Sequence, residues 1–220
     1  MAETNFWLAS NSPRRREMLQ WIDWGFQAAA TDIDESRRLH EPARDYVMRV
    51  SSKKAQARIT GSDAHSVIIA ADTIVVKDEN ILGKPRDADH AIDMLKNLRG
   101  KIHHVFTALA IRREDHIAQD MCCSMVKMRE YSDDEIWAYV KSGDSLDKAG
   151  AYAIQNQAFH PASDFNGCFA SVMGMPLCHL ERTLQKLGIS SPNGFAANCQ
   201  NHLKYTCPIT ERVMAGEDIG

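Results

Sequence analysis

The run Ser66-Val-Ile-Ile-Ala-Ala-Asp-Thr-Ile-Val-Val76 limits the fold more than any other stretch of the chain. It is β-branched and almost continuously apolar, the pattern of a central strand covered on both faces. Its only charged residue is Asp72, in mid-run. A carboxylate there is expensive unless it is paired or bound to a cation, so Asp72 is a candidate metal ligand or general base. The apolar pattern resumes through Ile74 to Val76, which argues against a strand end that merely faces solvent.

A second constraint lies at Leu8-Ala-Ser-Asn-Ser-Pro-Arg-Arg-Arg-Glu-Met-Leu19. Phe6 to Ala9 reads as a short buried strand. Ser12 suits a helix N-cap, and Pro13 suits the first helical position, where its missing N–H costs nothing. Met18, Leu19 and Ile22 supply an apolar stripe. Arg14 to Arg16 then fall in the first helical turn, where cations oppose the helix dipole. An anionic partner such as phosphate removes that penalty.

The remaining pattern alternates strands and helices. Gly25 to Ala30 reads as a strand, followed by the acidic loop Thr31-Asp-Ile-Asp-Glu-Ser36. A helix is expected from Pro42 to about Thr60. Asp78-Glu79-Asn80 reads as a turn and Gly83-Lys84-Pro85 as a stiff elbow. Asp87 to Leu98 has helical periodicity, stopped by Arg99-Gly100. His104–Arg112 and Ile117–Arg129 are expected to pair antiparallel. Ser132 caps a helix with Asp133, Asp134 and Glu135 in its first turn. Ala151–Ile154 is expected to be extended, Phe169–Val172 a short strand, and Pro176–Leu187 a helix. From Ser190 the chain is polar and poorly patterned. Crossover and hairpin spacings together predict an α/β fold with a mixed sheet, bent around a cleft between two lobes.

Composition excludes several classes. A net charge of −3 disfavours general nucleic-acid binding and leaves anion recognition to local basic clusters. No apolar run reaches the ~18 residues of a membrane span. The N-terminus lacks a basic segment followed by an apolar one, so a cytoplasmic location is expected. Six cysteines raise the question of metal or disulfides, but Cys199, His202 and Cys207 lack the close cysteine pairs of a zinc site. Neither a phosphate-binding glycine loop nor a dinucleotide fingerprint is present, and no Gly-x-Ser-x-Gly elbow occurs. Glu35, with Asp32 and Asp34, offers oxygen ligands of the kind that Mg²⁺ takes. Lys54 and Lys84, with Arg14 and Arg15, would make a cationic cradle for a polyphosphate if the fold brought them together.

With these residues in view, the chain resembles the Maf family of nucleoside triphosphate pyrophosphatases. The resemblance is carried by the Leu8–Leu19 block and by Asp34-Glu35 with Ser52-Lys-Lys-Ala-Gln56. It continues in Ala71-Asp-Thr-Ile-Val-Val76 with Gly83-Lys-Pro85 and Leu98-Arg-Gly100. It ends in Asp147-Lys-Ala-Gly-Ala-Tyr-Ala-Ile-Gln155 with Val172-Met-Gly-Met-Pro-Leu177. These blocks occur in order between about residues 6 and 189, which suggests a domain at 1–189 and a C-terminal tail at 190–220.

The resemblance implies an elongated mixed β-sheet with flanking helices and a central cleft, similar in shape to the inosine triphosphate pyrophosphatases. It implies cleavage of dTTP or UTP, or a modified pyrimidine nucleotide, to the monophosphate and pyrophosphate with a divalent cation, Mg²⁺ or Mn²⁺. In that reading Asp72 accepts the proton of the attacking water. Glu35 and Asp72 hold the metal. Ser10, Arg14, Arg15, Lys54 and Lys84 bind the triphosphate, and Arg14, Thr73 and Gln155 match the positions associated with selecting dTTP and UTP. A homodimer is the family-level expectation, with no nucleic acid polymer and no membrane as partner. Ser171, Ala153, Asn156 and His160-Pro-Ala162 depart from the family's usual residues near the presumed base pocket. Two other functions are weighed beside this one: a nucleotide-binding regulator of cell division or septum formation with little catalysis, and a 7-methyl-GTP pyrophosphatase. Thr73 and Gln155 argue against the latter.

Overall fold

A computed structural model describes residues 5–191 and 194–219. Its centre is the long strand anticipated from the 66–76 run, β3 (Val67–Lys77). Around it lie β1 (Phe6–Ala9), β2 (Gln27–Ala29), β4 (Asn80–Leu82), β5 (Ile102–Arg113), β6 (His116–Met128) and β7 (Ala162–Asn166). They form one sheet of seven strands in the order β2-β1-β3-β5-β6-β7, with β4 paired to β3 off that path. β1 runs parallel to β2 and β3, and all other pairings are antiparallel. The fold class is therefore the mixed open sheet with flanking helices read from the sequence.

One detail of register creates the site. β1 pairs with β3 only at Val67–Ile69, and β4 pairs on that same side only at Val75–Lys77. β5 runs the whole length of the opposite side, from Val67 to Val76. The backbone from Ala70 to Ile74 thus has no strand partner on one edge, and the chain leaving β1 is free to turn away there. It turns into α1 (Pro13–Gln20). Ser12 caps this helix by accepting from Arg15 N at 3.5 Å, with Pro13 in the first position, as its sequence predicts.

Helix α2 (Ala43–Gln56) packs on one face of β3 and β5. It stops short of the expected Thr60 because Ala57 is already extended. Helices α3 (Ala88–Leu98) and α4 (Asp133–Lys141) pack on each other, with Asp87 and Ser132 as side-chain caps. Helices α5 (Phe169–Met173) and α6 (Leu177–Lys186) cover β5 and β6. The main core joins Leu8, Met18 and Leu19 to Leu95, Leu109 and Leu180, all but buried completely.

Two further local expectations are corrected, and one strand is new. Phe169–Val172 is helical, not a strand, because Cys168 Sγ caps its start and Gly174 ends it at φ 110°, a conformation that favours glycine. A four-residue apolar run carries no period long enough to separate the two. Ala151–Ile154 joins no strand ladder; a 3₁₀ turn occupies Ala149–Ala151, although Tyr152 itself is extended. β7 was not anticipated, since an edge strand with both faces largely exposed shows no apolar alternation.

The segment after Ser190 is more ordered than its composition suggests. It forms α7 (Phe195–Leu203) and α8 (Thr210–Met214), both packed on α6. Phe195 and Cys199 enter the main core. His202 stacks on Trp21 at 5.2 Å between ring centroids, and Cys207 N donates to Gln200 Oε1, so both have plain structural partners. A polar clamp fixes the end of the segment. Arg182 on α6 donates to both oxygens of buried Asp120, at 2.8 and 2.7 Å, and to the carbonyls of Val213 and Glu217. His179 Nε2 lies 2.9 Å from the carbonyl of Ile219. Removing one partner of a buried ion pair strands the other charge, at a cost of about 3–5 kcal/mol. Arg182→Met should lose about that much stability, read as a lower urea midpoint, and should loosen residues 210–219 to hydrogen exchange first.

Candidate active site

The unpaired edge of β3 opens into a cleft of about 550 Å³. Adjacent residues of a strand point to opposite faces, so Asp72 and Thr73 look out on different sides of that edge. The cleft wraps both. Its two faces differ in chemistry, and each is built by its own helices.

The Asp72 face is ionic. Asp72 is nearly buried, and Lys54 from α2 reaches it with Nζ at 2.8 Å from Oδ1. The same ammonium lies 3.0 Å from Glu35 Oε2, on the loop between β2 and α2. Burial pushes the Asp72 pKa above its ordinary value, opposed by the charges of Lys54 and Arg15. Tyr46 from α2 and Ile74 complete this wall. The two carboxylates converge on one cationic point. Among the described residues no group of three or more His, Cys, Asp or Glu side chains is placed to hold a metal ion. This donor set still fits a hard cation such as Mg²⁺, which takes one or two carboxylates and fills its shell with water and phosphate oxygens.

Apart from the Arg15 guanidinium, which is spent on protein acceptors, the Thr73 face is neutral. Val75, Val105, Tyr152 and Met173 line it. Arg15 crosses the open edge and is largely spent on the protein. It donates to Ala71 O at 2.8 Å, to Gly174 O at 2.9 Å, to Thr73 Oγ1 at 3.0 Å and to Ser10 Oγ at 3.4 Å. It therefore substitutes for the missing strand by satisfying a carbonyl that the sheet leaves free. Thr73 Oγ1 is 2.9 Å from Thr107 Oγ1, which donates to Ser171 O at 2.8 Å. Each hydroxyl has one proton, so Thr73 donates to Thr107 and only accepts from Arg15.

The other cations stand around the mouth. Arg14 lines the cleft, and its Nε is buried with no hydrogen-bond partner among the described residues. Burial lowers its pKa, with Asp147 and Asp144 pulling the other way. Lys84 is exposed on its elbow, lines the cleft and has no ion pair among the described residues. The elbow is pinned by Gly150 N donating to Gly83 O at 3.0 Å. Ser10 Oγ accepts from Ser12 N at 3.1 Å.

Of the residues singled out from the sequence, Ser10, Arg14, Arg15, Glu35, Lys54, Asp72, Thr73 and Lys84 all line this cleft. Gln155 does not; its Oε1 is buried without a partner among the described residues. Asn156, one of the departures from the family pattern, braces the same turn by donating to Asp144 Oδ2 and accepting from Phe159 N. Tyr46, Thr107, Asp147 and Tyr152 were missed. Tyr152 OH is 2.7 Å from His103 Nε2, a pairing of residues distant in sequence that no local pattern announces. Thr107 had one legible signal: a hydroxyl opposite Thr73 in antiparallel register.

Comparison with known proteins places the chain in a family. The Maf-like protein family profile matches residues 5–187, and the chain belongs to that family. A protein of Escherichia coli O6:K15:H31 (strain 536 / UPEC) named dTTP/UTP pyrophosphatase is 41% identical over 174 residues, 79% of this chain and 88% of that protein. One of the same name from Methylococcus capsulatus (strain Bath) is 41% identical over 184 residues, 84% of this chain and 91% of the other. A solved nucleoside-triphosphatase / dITP/XTP pyrophosphatase from Mycobacterium abscessus is similar over 58% of this chain and 75% of that one, at 14% identity and a TM-score of 0.39.

The loop that presents Glu35 is tied down by a second ion pair. Arg49 on α2 donates to both oxygens of Glu41, at 2.6 and 2.7 Å, and to Ser36 O at 3.0 Å. The Arg49 hydrogen bond holds the Glu41 carboxyl at about 2, well below the usual carboxylate range. A depressed carboxylate stabilises the native state above its unfolded pKa of about 4.3, and that contribution is lost as pH falls through the native value. Glu41→Gln should therefore melt at a lower temperature than the wild type at pH 7. The difference should shrink below about pH 4.3 and vanish near the native value of about 2; a gap that is constant with pH would contradict it.

Proposed function

We propose that this protein is a nucleoside triphosphate pyrophosphatase that hydrolyses dTTP and UTP to the monophosphate and pyrophosphate. The observation that carries the reading is the buried Asp72, linked through Lys54 to Glu35, in a cleft whose mouth carries Arg14 and Lys84. The names of the relatives, 41% identical over most of the chain, support the substrate.

The division of the cleft suggests how such a substrate lies. A triphosphate suits the ionic side and the mouth, where Arg14, Lys54, Lys84 and Ser10 can take phosphate oxygens. A flat base with a polar edge suits the neutral side, against Tyr152, Val75 and Met173, with Thr73 offering a lone pair to an N–H. In this arrangement Asp72 accepts the proton of a water that attacks the α-phosphorus. Lys54, Lys84 and Arg14 offset charge that develops on the departing pyrophosphate. Asp72 and Glu35, together with phosphate oxygens, would hold Mg²⁺ or Mn²⁺, which would neutralise more of that charge. Arg15 serves in this reading less as a ligand for phosphate than as the brace that keeps Thr73 and Ser10 in place. Gln155 as a base-reading residue requires its turn to move toward the cleft.

The reading extends to a cytoplasmic enzyme, consistent with six free cysteines. No helix among the described residues is long and apolar enough to cross a membrane. A homodimer belongs to the proposal on the family resemblance alone.

Pyrophosphate release should be measured with dTTP, UTP, CTP, GTP, 7-methyl-GTP and 5-methyl-UTP in the presence of Mg²⁺ or Mn²⁺. The expected result is a preference for dTTP and UTP, with kcat reduced about 10³-fold or more in Asp72→Asn while nucleotide binding survives. Binding without release from any nucleotide would instead support the regulator of cell division, and preference for 7-methyl-GTP would move the substrate.

A further inference from the structure

We propose that Lys54 is an internal counter-cation that bars free divalent metal from the Asp72–Glu35 pair until a nucleotide arrives to take the ammonium. The inference rests on the pyrophosphatase reading of the site and concerns how its cation enters. Lys54 Nζ is 2.8 Å from Asp72 Oδ1 and 3.0 Å from Glu35 Oε2, so the ammonium stands at the point toward which the two carboxylates converge. Its side chain is nearly buried, at 11% exposure, as is that of Asp72. A divalent ion bound by the same two oxygens meets a positive charge within a few ångströms, screened poorly on the Asp72 side and more by water at the half-exposed Glu35.

The surroundings offer neither a way to relieve this nor a third carboxylate. Arg15 donates to Ala71 O and Thr73 Oγ1, the residues on either side of Asp72, which adds positive charge on the other side of the strand. No set of three metal-binding side chains exists among the described residues to outbid the ammonium. Arg49 is committed to Glu41 and anchors the backbone of the Glu35 loop through Ser36 O. A triphosphate changes the balance. It brings several negative charges, enough to hold Lys54 by its phosphate oxygens and to supply the ligands that a hard cation lacks here. Metal binding and nucleotide binding are then strongly coupled, each raising the affinity for the other.

The coupling makes a prediction about the nucleotide-free protein, where no turnover is involved. Mn²⁺ titrations followed by the electron paramagnetic resonance of the free ion should show weak binding to the wild type. Lys54→Met should bind Mn²⁺ at least tenfold more tightly, and adding Glu35→Gln to it should remove the gain. Lys54→Arg should remain as weak as the wild type. Circular dichroism reports whether each variant is folded. Lys54→Gln, which keeps a hydrogen-bond donor for Asp72, repeats the test should Lys54→Met fail to fold. Equal Mn²⁺ affinity in the wild type and in folded Lys54→Met or Lys54→Gln would overturn the proposal. Failure of the pyrophosphatase reading appears separately, as absence of pyrophosphate release by the wild type from every nucleotide.

Discussion

The lysine that joins Asp72 to Glu35 is the interaction on which the site depends. Asp72 lies between Ala70 and Ile74 on its own face of the strand and opposite Ala108 on β5, and burial alone favours its neutral form. Lys54 opposes that shift with its positive charge, and α2 must lie where it does for Lys54 to reach. Arg15 works on the opposite face of the same strand. It satisfies the Ala71 carbonyl and braces Thr73, so the edge of the sheet can remain open without collapsing. An open edge in the middle of a sheet is usually a liability. Here it is the floor of a cleft.

The two faces of that edge explain how one strand serves two kinds of recognition. Even-numbered positions meet α2 and carry charge at Asp72. Odd-numbered positions meet α5 and the main core, and carry a single hydroxyl at Thr73. The hydroxyl chain from Thr73 through Thr107 to Ser171 ties β3 and β5 to α5, and Arg15 holds the carbonyl of Gly174, the residue that ends that helix. A shift of α5 therefore reaches both the Thr73 hydroxyl and the guanidinium beside it. The segment after Ser190 bears on the same region from outside. Tyr205 packs against Phe165 and Phe169, and His202 against Trp21, so it touches both the helix that bears Arg15 and the one that bears Gly174.

Much of this was legible before any fold was known. The β3 run, the Ser12-Pro13 start of α1, the capping box at Ser132 and the stop at Arg99-Gly100 are local rules, and the chain obeys them. The cationic cradle was legible as a list of residues, and Arg14, Arg15, Lys54 and Lys84 all line the cleft, whereas Gln155, implied by the resemblance, does not. The failures are equally physical. Phe169–Val172 was too short to show a period. β7 shows none because three of its five residues are exposed and only Ala162 and Phe165 touch the core. The tail hid its two helices because its apolar residues are sparse, though Phe195 and Val213 are fully buried.

By itself the sequence determined which groups were available and which were out of place: a carboxylate inside an apolar strand, arginines at the wrong end of a helix, a lysine on a rigid elbow. Those are statements about the cost of a residue in its own neighbourhood, and neighbours in sequence are enough to make them. Only the tertiary structure decided what offsets each cost. Lys54 answers Asp72 across 18 positions, Arg15 answers Gly174 across 159, and Arg182 answers Asp120 across 62. Pairings at such separations depend on strand register and on which face a helix covers, and a shift of one residue in β3 would exchange the charged face of the cleft for the neutral one.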